Sequence, residues 1–229
     1  MSYNTRLQTH NESLRELLNT VNNLPSADSP SGSGGSGSGG ADITGVISRL
    51  ASSVSLPNQP SVGPYAFYKY TNLKDLDLPN CTSLGTYALD SCTGLTQASL
   101  PKLTTMESYA FKGCTSLVSV KLPALTGVSL YAFQSCESLE KADFDVATTV
   151  ANGAFIACSA LTALILRSTT MCALSGGGST TFNGTPIKDG AGYIYVPKDL
   201  MDSYKGDFSW LTYANQIRAI EDYPEITGG

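Results

Sequence analysis

Apolar residues recur between residues 65 and 166 of this chain with a period of 22 residues. The dipeptide Tyr-Ala begins at Tyr65 and returns at this interval up to Tyr131, and Gly153 takes the next position. Three further apolar positions follow at the same spacing: Leu73, Leu95, Leu117, Leu139 and Leu161; Leu76, Ala98, Val120, Ala142 and Leu164; and Leu78, Leu100, Leu122, Phe144 and Leu166. In each copy, alternate residues are expected to point inward, which predicts a short strand with one buried face.

A period of this length with L-x-x-L-x-L spacing is the signature of leucine-rich repeats. One coil cannot bury its own apolar face, so the coils must stack about 4.8 Å apart, with their strands in a parallel ladder. Pro79, Pro101 and Pro123 end the first three strands, where a missing N–H donor would interrupt the ladder. The predicted fold class is an α+β repeat, a leucine-rich-repeat solenoid with short parallel strands, plus a separate N-terminal α-helix.

Both ends of the repeat array contain segments that predict caps, which a solenoid needs to stay soluble. Apolar residues at helical spacing over 43–50 lead into Val54-Ser-Leu56, which fills the strand position one period before Leu76. The period is lost after Leu166. One more strand is predicted over 192–196 and a short helix over 199–204, followed by the chain's single tryptophan.

Composition divides the chain into an N-terminal helix (residues 1–24), a Gly/Ser linker (25–40) and the solenoid with its caps (41–229). The helix has a heptad-like apolar pattern, which predicts a trimeric or dimeric coiled coil, or docking to another protein. The residues that carry this pattern are Leu7, Leu14, Leu17, Val21 and Leu24. The alternative is a helix packed on its own solenoid, but a tether this flexible would uncouple the two parts.

The charge balance argues against several classes of partner. The net charge is −5 and only 14% of residues are charged, with no run of Lys or Arg, so nucleic acid is not an expected partner. No stretch approaches the roughly 20 apolar residues of a membrane span, so membrane insertion is not expected. The first residues lack the apolar core of a signal peptide, which predicts synthesis in the cytoplasm.

Catalytic chemistry is poorly represented. The single histidine, His10, lies in the N-terminal segment, which excludes a His-based triad or a two-His metal site in the solenoid. Cys92, Cys114, Cys136 and Cys158 share one repeat position with Tyr70, which predicts packing positions with buried, reduced thiols. We therefore expect no enzyme activity, no metal and no cofactor. Asp143 and Asp145 place two carboxylates on one strand face, but such a pair is common on solvated surfaces, so a calcium site is not expected there.

Strand residues that point away from the core should form one continuous surface. The candidate binding residues on it are Lys74, Asp75, Asp77, Gln97, Ser99, Ser119, Lys121, Glu140, Lys141 and Asp143, and the same register also points Thr96, Val118, Thr162, Ala163 and Ile165 outward. The strip is polar, mixed in charge and poor in aromatic residues, so it does not predict strong sugar binding; Tyr68 and Tyr70 are the exceptions. A recognition surface and an ordinary solvated face both remain open.

The repeat unit YAFKGCTSLVSVKLPALTGV, residues 109–128, resembles the BspA-like class of leucine-rich repeats, over about residues 52–166. The ending GYIYVP, residues 192–197, with Tyr204-Lys, resembles the terminator of such repeats in proteins of bacteriophages and prophages of Gram-positive hosts. The opening segment, residues 3–25, is similar to N-terminal helices of phage structural proteins. The BspA-like resemblance implies a surface adhesin or a surface-exposed recognition module.

These resemblances favour the hypothesis of a phage virion accessory protein, such as a head or tail fibre or decoration. Its implied partners are itself, as a trimer through the N-terminal helix, a capsid or tail protein, and a host surface protein or glycan. The implied location is the virion. The alternatives are a bacterial cell-surface adhesin or protein-interaction module unrelated to virions, and an enzyme with an unrecognised site.

Overall fold

The computed structural model describes residues 51–177 and 180–227, and these residues wind into stacked coils. Each repeat coil contributes two short strands, numbered here in chain order. The first strands of the coils, with those of the C-terminal region, are β1 (Ser53–Ser55), β3 (Asp75–Asp77), β5 (Gln97–Ser99), β7 (Ser119–Lys121), β9 (Lys141–Phe144), β11 (Ala163–Leu166), β13 (Tyr193–Val196) and β14 (Ile217–Ala219). The second strands are β2 (Ser61–Val62), β4 (Ser83–Leu84), β6 (Thr105–Met106), β8 (Gly127–Val128), β10 (Thr149–Val150) and β12 (Ala173–Leu174).

The first strands form a parallel ladder, which we call the first ladder. Its two sheets have the orders β1-β3-β5 and β7-β9-β11-β13-β14. Residues 22 apart are partners within the repeats, as in Asp75 with Gln97 and Lys141 with Ala163. This register confirms the stacked parallel strands predicted from the repeat, and β1 confirms the strand predicted at Val54. Among the described residues, strand pairing is interrupted between β5 and β7.

The second strands form another parallel ladder, with the orders β2-β4-β6 and β8-β10-β12. These strands were not predicted, although their buried residues Leu84, Met106, Val128 and Val150 occupy a recurring apolar position. Two residues are too few for an alternating pattern to be recognised, so only the single buried residue was visible in the sequence. Thr126 N–H donates to the Thr104 carbonyl at 3.1 Å and links the two halves of this ladder.

The inward residues of both ladders share one continuous core. The leucines at the repeat positions are almost completely buried, and so are the four cysteines predicted to be packing residues. Each of these thiols donates to a carbonyl 25 residues earlier; the Cys92 Sγ lies 2.9 Å from the Phe67 oxygen and the Cys136 Sγ lies 3.1 Å from the Phe111 oxygen. Phenylalanine rings stack beside them, with centroids 5.2 Å apart for Phe111 and Phe133.

Tyrosines mark one corner of successive coils. Tyr65, Tyr87, Tyr109 and Tyr131 all have positive φ, between 54° and 63°. Their rings stack in chain order at centroid distances of 5.0, 4.6 and 5.1 Å. The left-handed conformation costs roughly 1–2 kcal/mol for a residue with a Cβ, and the stacked rings contribute in the opposite direction.

Threonine side chains add hydrogen bonds between coils. The hydroxyls of Thr82, Thr104, Thr126 and Thr148 each donate to the carbonyl of the residue 22 positions earlier, at 3.0–3.3 Å. Each of these carbonyls also accepts the backbone N–H of the same threonine, so the hydroxyl adds a second bond between coils where the strands are only two residues long. This explains why so many threonines occur at one repeat position.

Residues 180–227 form the C-terminal cap. It contains three short helices, α1 (Pro186–Asp189), α2 (Met201–Gly206) and α3 (Pro224–Thr227), and 3-10 turns at Lys198–Leu200, Leu211–Gln216 and Ile220–Asp222, in addition to the turn at Ser175–Gly177 in the last coil. The predicted strand over 192–196 and the predicted helix over 199–204 are confirmed by β13 and α2. Strand β14 was not predicted.

Aromatic residues of this cap cover the open end of the core. Phe182 stacks on Phe155 at 5.8 Å and in turn meets the Tyr213 ring edge-on at 5.0 Å. The Trp210 indole N–H donates to the Cys172 carbonyl at 2.7 Å, and Tyr204 Oη accepts from the Cys172 N–H at 2.7 Å. The backbone N–H and carbonyl of Cys172 are thus both satisfied by side chains of the cap. The N-terminal helix, the linker and the capping helix predicted over 43–50 lie outside the described residues.

Candidate interaction surface

The outward side chains of the first ladder form two parallel rows, which we call the outer face. In the first sheet, strand register places Ser53, Asp75 and Gln97 in one row and Ser55, Asp77 and Ser99 in the other. In the second sheet, it places Ser119, Lys141, Ala163 and Tyr193 in one row and Lys121, Asp143, Ile165, Tyr195 and Arg218 in the other. Residues of both sheets line one depression where they meet, so the rows continue from one sheet to the next. Lys74 and Glu140 precede their strands and are exposed. The structure therefore brings the ten predicted binding residues onto one surface, as their register required.

Asp143 is buried, although the strand register predicted that its side chain would be exposed. Its side chain is only 6% exposed, and Arg167 forms two hydrogen bonds with it at 2.9 and 3.0 Å. The Lys121 ammonium lies 3.7 Å from the same carboxylate, and the Arg167 Nε lies 3.5 Å from Asp145. Hydrogen bonding to Asp143 raises the pKa of the Arg167 guanidinium. Asp143 thus holds neighbouring coils together and is not a free acceptor for a ligand.

The outward positions of β11 are also covered, contrary to the prediction for Ala163 and Ile165. Both are buried, together with Tyr195, in a small apolar cluster on the outer face. Tyr223 and Ile226 of the C-terminal cap pack over them. The cap therefore folds back across the end of the outer face, a contact that no repeat spacing could indicate because the cap is not periodic.

Two shallow depressions lie on the outer face. The larger, of about 660 Å³, extends from β7 to β13 and is bordered by the cap; Ser119, Glu140, Lys141, Tyr193, Tyr223 and Glu225 are among its lining residues. The smaller, of about 440 Å³, lies where strand pairing is interrupted between β5 and β7. Ser119 lines both depressions. Aromatic residues thus border a surface that the sequence predicted to be poor in them.

The cysteine positions are built for packing and not for reactivity. Burial raises the pKa of the Cys92 and Cys172 thiols to about 12, and raises those of Cys136 and Cys158 well above the ordinary value. A reactive thiol needs a lowered pKa and access to solvent. Among residues 51–177 and 180–227, there is no cluster of three or more His, Cys, Asp or Glu residues able to hold a metal ion.

No helix within the described ranges is long and apolar enough to cross a membrane. The apolar residues proposed for oligomerisation or docking, Leu7, Leu14, Leu17, Val21 and Leu24, lie outside those ranges. The outer face, with its two depressions, is a candidate interaction surface.

Comparison with known proteins agrees with this geometry. The BspA type leucine rich repeat region, in six copies, matches residues 48–162 and 82–190, which together cover more than half of the chain. The chain belongs to the BspA type leucine-rich-repeat family. This assignment agrees with the resemblance noted for residues 109–128, and the matched residues include the repeat coils and the first part of the C-terminal cap.

Two solved structures of leucine-rich-repeat proteins are similar to this BspA type chain. A leucine-rich-repeat protein of T. pallidum is 28% identical, with a TM-score of 0.50, over 53% of this chain and 61% of that one. A leucine-rich cell surface protein of Faecalibacterium prausnitzii is 27% identical, with a TM-score of 0.49, over 63% of this chain and 38% of that one. In both, the match spans less than two thirds of the other protein. Among curated proteins, none matches significantly.

Proposed function

We propose that this protein is a non-enzymatic interaction module that presents its outer face to a partner. The observation that supports this most strongly is the build of that face, an open and regular array of outward side chains carried on stacked coils. Lys74, Asp75, Glu140 and Lys141 form no ion pair with another described residue, so their charges are available to a ligand. A rigid scaffold with an extended surface suits recognition better than it suits reaction chemistry.

In the more specific form of the proposal, the protein is a virion accessory component, a head or tail fibre or decoration. What supports this is sequence: the Gly/Ser linker at 25–40, the heptad-like pattern before it, and the resemblance of both termini to phage and prophage proteins. The N-terminal segment would form a trimer or dock to a capsid or tail protein. Display of several copies would then strengthen individually weak contacts to a host surface protein or glycan.

A bacterial cell-surface adhesin or interaction module is the second candidate. Membership of the BspA type family supports it, since surface recognition is what the family resemblance implies. The two candidates share the outer face as recognition surface and differ in what the N-terminal segment is attached to.

The test is deletion of residues 1–24, with a shortened linker lacking residues 28–36 as the matched control. Analytical ultracentrifugation should show self-association of the full chain, and the full chain should co-sediment with phage particles from the source strain. We expect both properties to be lost on deletion and kept in the control, while the thermal unfolding of the solenoid stays unchanged. Retention of particle association after deletion contradicts the virion proposal, and binding to cell walls but not to particles favours the adhesin.

A further inference from the structure

The larger depression on the outer face, which we call the tyrosine-lined groove, combines features that no repeat position predicts. Its floor includes the outward side chains of Ser119, Lys141 and Ala163, from three neighbouring strands. Tyr193 and Tyr223 line the end where the C-terminal cap folds over the ladder. The groove therefore has an aromatic end and a polar floor in direct continuity.

The tyrosine rings are held in place before any ligand arrives. The Arg218 guanidinium lies over the Tyr193 ring at 4.4 Å, and is itself fixed by hydrogen bonds to the carbonyls of Asn215 and Ile217 at 2.8 and 2.9 Å. Tyr195 meets Tyr193 at 6.4 Å and Tyr223 at 5.5 Å, both in edge-to-face geometry. Tyr193 and Tyr223 nevertheless remain partly exposed at the groove. Preorganised rings of this kind lose little conformational entropy on binding.

The polar groups at the groove are available. Glu140, Lys141 and Glu225 line it, and none forms an ion pair with another described residue. Two carboxylates accept hydrogen bonds and one ammonium donates them. The Thr162 hydroxyl, by contrast, already donates to the Glu140 carbonyl at 3.4 Å. The groove thus offers acceptors and a donor beside aromatic surface.

This combination selects among ligand classes. A polyanion would meet two carboxylates and one ammonium among the lining residues, and the nearby Arg218 guanidinium is already engaged by the Tyr193 ring and two carbonyls. A purely apolar segment would leave the three lining charges desolvated and unpaired. A sugar ring presents a C–H face that packs on an aromatic ring, and its hydroxyls both donate and accept. Concave sites that join aromatic surface to a few well-placed polar groups are typical small-ligand sites.

We propose that the tyrosine-lined groove binds a neutral oligosaccharide, with its sugar rings against Tyr193 and Tyr223 and its hydroxyls on Glu140, Lys141 and Glu225. This inference rests on the proposed function, in which the outer face is the recognition surface, and it names the ligand class and the part of that face involved. The remaining outward residues toward β3 then serve as a scaffold or a secondary contact.

The probes for the test are cellohexaose and chitohexaose, titrated into the full chain by calorimetry. We expect at least one of them to bind, and we expect Tyr193→Ala and Glu140→Ala to weaken that binding tenfold or more. Tyr193→Phe should retain most of the affinity, because it keeps the ring. Phe208→Ala is the matched control, since Phe208 is an 87% exposed aromatic residue that does not line the groove, and its affinity should equal that of the unmodified chain.

The glycan inference is overturned if neither oligosaccharide binds at millimolar concentration, if Tyr193→Ala and Glu140→Ala bind as well as the unmodified chain, or if a lysine-rich peptide binds the groove and the sugars do not. Because Glu140 is exposed, Glu140→Ala should fold normally, and it keeps the test valid if Tyr193→Ala unfolds. Particle association of the unmodified chain, measured beside sugar binding, separates the two proposals. If the unmodified chain binds neither sugar but its particle association still depends on residues 1–24, the proposed function stands without the groove. If it binds a sugar but does not associate with particles, only the groove stands.

Discussion

At the scale of single residues, the corner that carries the tyrosine stack ends at Gly153. Gly153 has a φ of 70°, in the same region as Tyr131 one coil earlier. A Cβ at Gly153 would lie 2.3 Å from the Tyr131 Cε1 atom, so the last ring of the stack occupies the space that a side chain would need. Tyrosines adopt a similar φ at this position in the earlier coils, so it is the Tyr131 ring, and not the backbone alone, that favours glycine here.

We predict that Gly153→Ala destabilises the protein more than Gly113→Ala does. Both glycines have a φ of 70°, but a Cβ at Gly113 would meet Ser91 at an ordinary 3.5 Å. Gly113→Ala should cost about 1 kcal/mol of backbone strain, and Gly153→Ala at least about 1 kcal/mol more because Tyr131 must leave its stack. Urea denaturation measures the free energy of unfolding of both variants. Equal losses of stability would show that the Tyr131 ring does not occupy the space beside Gly153.

The buried thiols predict an alkaline loss of stability. Burial raises the pKa of Cys92 from 9.0 to about 12, so the folded state disfavours the thiolate that the unfolded chain forms. The stability that the buried, protonated Cys92 thiol contributes is fully present below pH 9 and is lost as the pH rises toward 12. Between pH 8 and 10.5, the free energy of unfolding should fall by about 2 kcal/mol more in the unmodified chain than in Cys92→Ala. Identical pH profiles would place the thiol in solvent.

Particular residues show which parts of the fold and of the candidate site the sequence predicts. The repeat positions of Leu73, Leu117 and Leu161 predicted their complete burial, because a fixed period maps directly onto a stacked core. The partnership of Asp143 with Arg167 could not be predicted, since their spacing of 24 matches no repeat interval. Likewise nothing periodic indicated that Tyr223 would cover the outer face and give the candidate site its aromatic end.

At the scale of elements, the C-terminal cap is joined to the solenoid through polar contacts at Cys172. This residue lies in the inserted segment where the 22-residue period fails, so its N–H and carbonyl lack the partners that a regular coil would supply. Tyr204 and Trp210 provide those partners. The cap is thus a specific closure of this particular coil end, and its aromatic residues also continue the phenylalanine stack through Phe182.

We predict that Trp210→Phe and Tyr204→Phe each lower the free energy of unfolding by about 1–3 kcal/mol. Tyr204→Phe keeps the ring, whereas Trp210→Phe puts a smaller ring in a fully buried site and also leaves a small cavity. Each change leaves one buried backbone group of Cys172 without its partner. Phe208→Ala, in the same segment but 87% exposed, should leave stability within about 0.5 kcal/mol. Losses no larger than that of Phe208→Ala would mean that water replaces these contacts freely.

At the scale of the whole molecule, every coil of the repeat contacts its sequence neighbours, through ladder bonds, threonine hydroxyls and ring stacks that each join residues about 22 apart. Stability in such an array is a sum over neighbouring coils, and the outward positions remain free to vary for binding. Coils of equal size also leave a shallow open face instead of a deep pocket, which suits recognition of an extended ligand.

The most direct test of this stacking is nuclear Overhauser spectroscopy on a chain labelled only at its tyrosine rings. The account predicts ring-to-ring contacts for the pairs Tyr65–Tyr87, Tyr87–Tyr109 and Tyr109–Tyr131, whose centroids lie 4.6–5.1 Å apart, and none for tyrosines two coils apart. Contacts that join Tyr65 to Tyr109, or the lack of any contact between the neighbouring pairs, would contradict the ordered stack of equal coils on which the outer face depends.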